Sequence, residues 1–359
     1  MRTIKTRHFT GTTDNTVTKR ELDNRKVARR AAAEGMVLLK NEGILPLKEG
    51  TKIALYGVGA SRTIKGGTGS GDVNERETVS IYQGMKNAGF EITTEDWIKD
   101  FDEKYQAARY AWRDEIENEA AKLEDQVSGF FNVYSTTPFR IPAGAPVTQT
   151  DADVAIYILS RIAGEGADRF DEAGDYYLTE EEKKQLADIC SMYEHVIVAV
   201  NTGGLADLSF MDEYVNIEAL LQIVQPGMEA GNAFADIISG RVTPSGKMTD
   251  SWAVKYEDYP NSKTFSHNNG NVDKEYYTEG LYVGYRYFDS FDVPVRYGFG
   301  YGLSYTTFET KVLSTVLKDN KIVVETETIN TGDTYSGKEV VQLYATCPAG
   351  KLEKEYRRL

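Results

Sequence analysis

The sequence predicts an α/β fold, a layered α/β sandwich with a mostly parallel sheet, followed by the opening strands of a β-sandwich. Three observations carry this. Short apolar runs that read as buried strands alternate with segments of helical periodicity, the pattern of a parallel sheet covered on both faces. The 359 residues suit two domains, at roughly 150 residues each. After residue 305 the character changes to β-rich runs separated by Asp-Asn and Gly-Asp turn signals.

The elements follow in order. Residues 1–20 are polar and rich in threonine, and read as an arm. From 20 to 39, Val27, Ala31, Met36 and Leu39 recur at helical spacing. The run 52–56, KIALY, is a buried strand that ends at Gly57, and a helix over 81–88 is stopped by Gly89. The charged segment 94–126 carries Phe101, Tyr105, Ala108, Trp112, Ile116, Ala120 and Leu123 at steps of three or four. It reads as an inserted amphipathic helix or helical pair, capped by Thr93 with Asp96 three residues on. Strands at 154–159 and 196–200 flank a helix at 180–193, and 217–224 and 232–239 read as further helices. The runs 311–320, 321–332 and 336–347 read as strands. Only 55 residues follow 304, where a complete sandwich of this kind needs about 100. The expected division is therefore an α/β domain over 1–304 and a truncated β-domain over 305–359.

Composition excludes several function classes. Hydrophobic residues make up 41% and charged residues 27%, an ordinary globular balance. A formal charge of −14 disfavours phosphate backbones and anionic lipid, so neither nucleic acid nor membrane is expected as a partner. No apolar run approaches a membrane span and no apolar leader precedes the chain, which points to a cytoplasmic protein. Cys190 and Cys347 are too few for a disulfide framework or a zinc site. His8, His195 and His267 are scattered without metal-ligand spacing, so neither metal nor cofactor is expected.

Two glycine-rich loops stand at predicted strand ends, where open α/β sheets place ligands. In the first, Gly57 and Gly59 are followed by Arg62 where a dinucleotide fingerprint needs glycine, and no phosphate loop is present. This loop, continuing through 66–72, is expected to face a strand-end crevice rather than a nucleotide. The second is SRIAGEGADR, 160–169, directly after a strand. Its Glu165 sits between two glycines, free to enter a cleft where partial desolvation would raise its pKa and make it a proton donor. Spacing alone favours a solvated carboxylate, with Asp168 and Arg169 as a structural ion pair. Thr68, Ser70 and Ser251 lack the G-x-S-x-G setting of an activated nucleophile. NTGG, 201–204, reads as a turn or a sugar contact, and the aromatic stretch 276–289 as packing or a sugar platform.

Several of these segments together resemble one family. The stretches ARRAAAEGMVLLKNEGILPL (28–47), GSGDVNE (69–75), SRIAGEGADR (160–169) and VAVNTGG (198–204) are similar to the α/β-sandwich domain of glycoside hydrolase family 3, as are QPGMEAGNAFADIISGRVTPSGKM (225–248), YTEGLYVGYRYFD (277–289) and YGFGYGLSYTTF (297–308). SGKEVVQLY (336–344) resembles the fibronectin type III-like module that follows that domain in the family. The resemblance covers about 25–359 and is nearest to bacterial β-glucosidases. It implies retaining hydrolysis by two carboxylates, one attacking the anomeric carbon and the other acting as acid and then base. It further implies that Glu165 is that acid/base. The family's nucleophile is an aspartate of a (β/α)8 barrel, and no barrel is encoded in these residues. The order of segments matches a permuted subgroup in which the α/β sandwich comes first. The implied partners are a β-glucoside or cello-oligosaccharide substrate and the missing (β/α)8 barrel domain. Unpaired strands in the cut module add an expectation of self-association as a homo-oligomer. The competing expectation is a non-catalytic carbohydrate-binding or assembly module derived from such an enzyme.

Overall fold

The computed structural model describes residues 15–67, 71, 73, 75–137, 139, 141–142, 144–162, 169–271, 273–348 and 350–359. Helix α1 (Lys19–Gly35) opens on a capping box, in which Thr18 Oγ1 accepts from the Glu21 amide and the Glu21 carboxylate accepts from the Thr18 amide. Then come β1 (Val37–Asn41), β2 (Lys52–Tyr56), α2 (Ile81–Asn87), β3 (Glu91–Ile92), α3 (Glu95–Ala120) and α4 (Gln126–Thr136). The body is completed by β4 (Val154–Arg161), α5 (Glu180–Met192), β5 (Val196–Thr202), β6 (Ile217–Gln222) and α6 (Ala230–Ile238).

Among the described residues these strands form a six-stranded mixed sheet in the order β1-β6-β5-β4-β2-β3. All neighbours are parallel except β1, which runs antiparallel to β6. The central register sets Ile53 beside Val154 and Ala155 beside Val196. Every residue of β4 and β5 is buried, as an apolar run must be when both faces are covered. One group of helices, α1, α2 and α6, packs together. It is pinned by Arg25 to Glu229 at 2.6 Å and by Arg29 to both oxygens of Asp236 at 2.6 and 2.7 Å. On β2, Tyr56 meets Trp97 of α3 edge-on with centroids 5.4 Å apart, and its hydroxyl lies 2.9 Å from that of Tyr193 after α5.

The α/β expectation holds, and three elements within it are corrected. The stretch 217–224, read as a helix, is strand β6. Its Leu, Ala and Glu favour a helix locally, but the run fills the slot between β1 and β5, and tertiary pairing overrides propensity. The first helix ends at Gly35, and 37–39 pass into β1, because that apolar run is buried against β6. The segment 94–126 is a helical pair whose second member reaches Thr136. Its cap is Thr94, without a side-chain cap bond, instead of Thr93. The Thr94 hydroxyl is spent on β2, accepting from the Leu55 amide at 2.9 Å and donating to its carbonyl at 2.8 Å.

The helices α2 and α6 meet backbone to backbone. A β-carbon on Gly231 would stand 1.8 Å from the Ser80 carbonyl oxygen, and one on Gly84 2.0 Å from that of Gly231. Gly231→Ala is accordingly expected to destabilise the chain by about 1–3 kcal/mol through overpacking. A urea midpoint unchanged from the parent chain would contradict this.

Beyond α6, β7 (Trp252–Ala253) pairs with β8 (Val295–Tyr297), and α7 (Tyr285–Phe291) lies between them in sequence. Strands β9 (Phe308–Lys318) and β10 (Lys321–Asn330) form a two-stranded antiparallel ladder whose side chains are largely exposed. The expected third strand at 336–347 makes no ladder. Its described pairing is a single bridge from Ala345 to Arg358, since neither β9 nor β10 lies alongside it. Instead the tail docks on α7: Tyr344 packs edge-on against Tyr285, Arg357 pairs with Asp289 at 2.6 Å, and the Leu359 amide donates to the Tyr285 hydroxyl.

Candidate active-site frame at the strand ends

The carboxyl ends of β2, β4, β5 and β6 converge on one edge of the sheet, and Asn201 at the end of β5 organises them. Its amide nitrogen donates to the carbonyls of Ile64 (3.0 Å) and Val224 (2.6 Å), and its oxygen accepts from the Ile64 amide (2.7 Å) and Ser160 Oγ (3.2 Å). Asn201 is fully buried and its hydrogen-bonding capacity is spent, so in NTGG it ties the loops after β2 and β6 to strand β4 rather than contacting sugar. Val224, held by this bond, has φ 50°, a costly conformation for a β-branched residue.

The first glycine-rich loop is explained by packing. A β-carbon on Gly57 would lie 2.4 Å from the Ile158 carbonyl oxygen, and one on Gly59 2.2 Å from Ser160 Oγ. These glycines let the loop cross β4. Its continuation is tethered at the strand ends by Ile64 to Asn201 and by the Gly227 amide to the Lys65 carbonyl at 2.8 Å. Of the stretch 66–72 expected to face Glu165, Gly66, Gly67 and Gly71 are described, while Thr68, Gly69, Ser70 and Asp72 lie outside the described residues.

Glu165 and Asp168 also lie outside the described residues, so the structure gives the frame around their segment. Arg161, the last residue of β4, and Arg169 flank 162–168, and both reach Asp175. Arg161 Nε donates to the Asp175 carbonyl at 2.7 Å, and Arg169 donates to the same carbonyl at 2.9 Å. Arg169 Nε also pairs with the Asp175 carboxylate, whose other oxygen accepts from the Phe170 amide at 2.7 Å. Arg169 further donates to Thr202 Oγ1 at 2.9 Å, fixing it to the end of β5. The partner described for Arg169 is Asp175, and the pairing with Asp168 expected from the sequence lies outside the described residues.

Arg161 is buried, and its charge is met by Glu182 of α5 through two bonds of 2.6 and 2.7 Å. Glu182 at the same time accepts from the Thr179 amide, closing the capping box of α5. Sequence reading missed Arg161, Asp175 and Glu182 as a unit. The Thr179-x-x-Glu182 pattern was a visible cap signal, but the arginine pairings join distant strands and carry no local signature.

The other candidates separate from this frame. His195 Nδ1 lies 2.9 Å from Glu218, in a structural pair before β5. His8 lies outside the described residues, and His267 falls in a short turn far along the chain. Ser251 is buried, and its Oγ accepts from the Phe299 amide at 3.2 Å. In the stretch 276–289, Tyr285 stacks on Phe299 and Phe288 packs on Tyr259, so those rings serve packing. Tyr277 is exposed. Among the described residues no cluster of His, Cys, Asp and Glu could hold a metal ion, and no helix is long and apolar enough to cross a membrane.

Residues 36–285, which include this whole frame, match the family profile described as the glycosyl hydrolase family 3 C-terminal domain. The chain belongs to glycoside hydrolase family 3. Among curated family 3 relatives, it is 37% identical to β-glucosidase A of Butyrivibrio fibrisolvens over 90% of its own length, which is 42% of that protein. It is 34% identical to a β-glucosidase of Ruminococcus albus over 94% of its length and 34% of that protein. Of solved structures, β-glucosidase 3B of Thermotoga neapolitana in complex with glucose superposes with a TM-score of 0.79 and 35% identity, covering 94% of this chain and 46% of that one. The chain therefore spans less than half the length of these family 3 relatives.

Proposed function

We propose that this chain is the acid/base-bearing part of a retaining β-glucosidase that removes terminal β-D-glucosyl residues from β-glucosides or cello-oligosaccharides. In this reading Glu165 protonates the leaving oxygen and then draws a proton from the water that releases the glycosyl-enzyme. The supporting observation is the double tether on Asp175. It holds both feet of the segment carrying Glu165 at the carboxyl ends of β4 and β5, where open α/β sheets bind ligands. Family 3 membership adds the reaction class. The nucleophile aspartate belongs to a (β/α)8 barrel outside these residues. We assign 1–304 to the α/β domain and 305–359 to part of a fibronectin type III-like module, whose exposed β9–β10 edges favour a homo-oligomer.

Chemistry sets the test. An acid without its partner nucleophile cannot form the covalent intermediate of retaining hydrolysis. The purified 359-residue chain is expected to fold but to release no nitrophenol from aryl β-glucosides, and turnover is expected only when a barrel is supplied. Activity of the chain alone, abolished by Glu165→Ala, would show that a second catalytic carboxylate lies within these residues.

A further inference from the structure

The chain contains one Asn-Gly dipeptide, Asn269-Gly270, and the fold sets it in an exposed turn. Asn269 Oδ1 accepts from the Asn271 amide at 2.9 Å, an Asx turn that folds the side chain back along its own main chain. The turn encloses the Gly270 nitrogen and keeps the side-chain carbon Cγ of Asn269 beside it. Gly270 has φ 76°, the left-handed region that suits glycine, and a β-carbon built there would meet nothing within 4 Å. Among the described residues no hydrogen bond engages the Gly270 amide or Asn269 Nδ2. The base of the turn is fixed to the body by Asn268, whose Nδ2 donates to the Tyr256 hydroxyl at 3.2 Å and the Ser262 carbonyl at 3.0 Å.

These are the parts of an intramolecular acyl transfer. The Gly270 nitrogen, once its proton passes to water, attacks Asn269 Cγ, and no side chain of its own shields it. As that bond forms, negative charge gathers on Oδ1, where the Asn271 N–H already donates, as an oxyanion donor does. Collapse expels Nδ2 as ammonia, its third proton returned by water, and leaves a five-membered succinimide. Water then opens the ring. Attack at the Cγ carbonyl gives aspartate, and attack at the main-chain carbonyl gives isoaspartate, linked onward through Cγ. The sum is amide plus water to carboxylate plus ammonium, with no oxidant or reductant. We propose that Asn269 is a self-modification site, which its own backbone converts to aspartate and isoaspartate faster in the fold than in the unfolded sequence. Asn271 supplies the contrast. Its Oδ1 accepts from the Asp273 and Lys274 amides at 3.1 and 3.2 Å, yet the residue after it is valine, and a branched β-carbon crowds the adjacent nitrogen. Either product adds a negative charge to a chain already at −14. Isoaspartate also puts an extra carbon into the main chain directly after Asn268.

The test incubates the intact 359-residue chain and a synthetic peptide spanning 264–276 side by side at mildly alkaline pH. Peptide mapping by mass spectrometry follows the amide-to-acid conversion, and labelling by isoaspartyl methyltransferase follows the isoaspartate branch. Asn269 is expected to convert first among the asparagines of the chain. Its rate should exceed that of the peptide by roughly two- to tenfold, the range that one net hydrogen bond supplies. Isoaspartate marks passage through the ring, since direct hydrolysis yields aspartate alone. Asn271→Pro deletes the donating N–H and should bring the rate in the folded chain down to that of the peptide. Conversion in the folded parent no faster than in the peptide overturns the proposal. So does aspartate without isoaspartate, or a folded rate that Asn271→Pro leaves unchanged. The comparison of chain with peptide needs no variant, so it decides the matter even where Asn271→Pro fails to fold.

Discussion

Glu165→Ala, in a polypeptide that joins this chain to a family 3 barrel, is expected to slow cellobiose hydrolysis by roughly 10²- to 10⁴-fold, the usual worth of general acid–base catalysis. The loss should depend on the leaving group. Cellobiose departs as a poor leaving group and needs its oxygen protonated, whereas an activated aryl oxide does not. Dinitrophenyl glucoside should therefore form the glycosyl-enzyme at nearly the parental rate and stall at its hydrolysis. Azide needs no general base, so it should restore turnover and yield β-glucosyl azide with retained configuration. A loss under about tenfold on cellobiose, or no azide product, removes Glu165 from this role.

Glu182→Ala should produce the largest stability loss of any single substitution in the frame, about 3–5 kcal/mol, because it strands a buried guanidinium. Arg161 is almost fully enclosed and Glu182 answers its charge with both oxygens. Alanine also removes the acceptor that closes the α5 cap at Thr179. Glu182→Gln keeps a single oxygen to share between the cap and Arg161 and loses the charge, so it should recover part of the difference. Urea denaturation of the 359-residue chain measures both variants. A loss below about 1 kcal/mol for alanine, the scale of an exposed pair, would mean that Arg161 finds water or another acceptor.

The strand–helix alternation was legible because buried parallel strands have to be short apolar runs, and 52–56, 154–159 and 196–200 are unmistakably so. The stretch 217–222 was misread for a physical reason. Ile-Glu-Ala-Leu-Leu-Gln satisfies a helix as well as a strand, and its state is decided by β1, which returns antiparallel from far away in sequence. The end of the first helix failed in the same way, since 37–39 owe their extended form to that same pairing. Of the candidate site, local sequence marked the Gly-flanked Glu165 on a strand-end loop but favoured a solvated carboxylate there, and only the resemblance to the family turned the expectation towards an acid/base. The supports of that loop could not be picked out, since Arg161, Asp175 and Glu182 come together only after the sheet and α5 are assembled.

The double attachment to Asp175 has a consequence for variation in length. Chain closure between two fixed points costs entropy that grows only logarithmically, about 0.6 kcal/mol for each doubling of the connecting segment. With Arg161 and Arg169 anchored to one carbonyl, adding or removing a residue or two between them changes the closure entropy little. On that ground an insertion between the two anchors is expected to register in turnover before it registers in a melting curve.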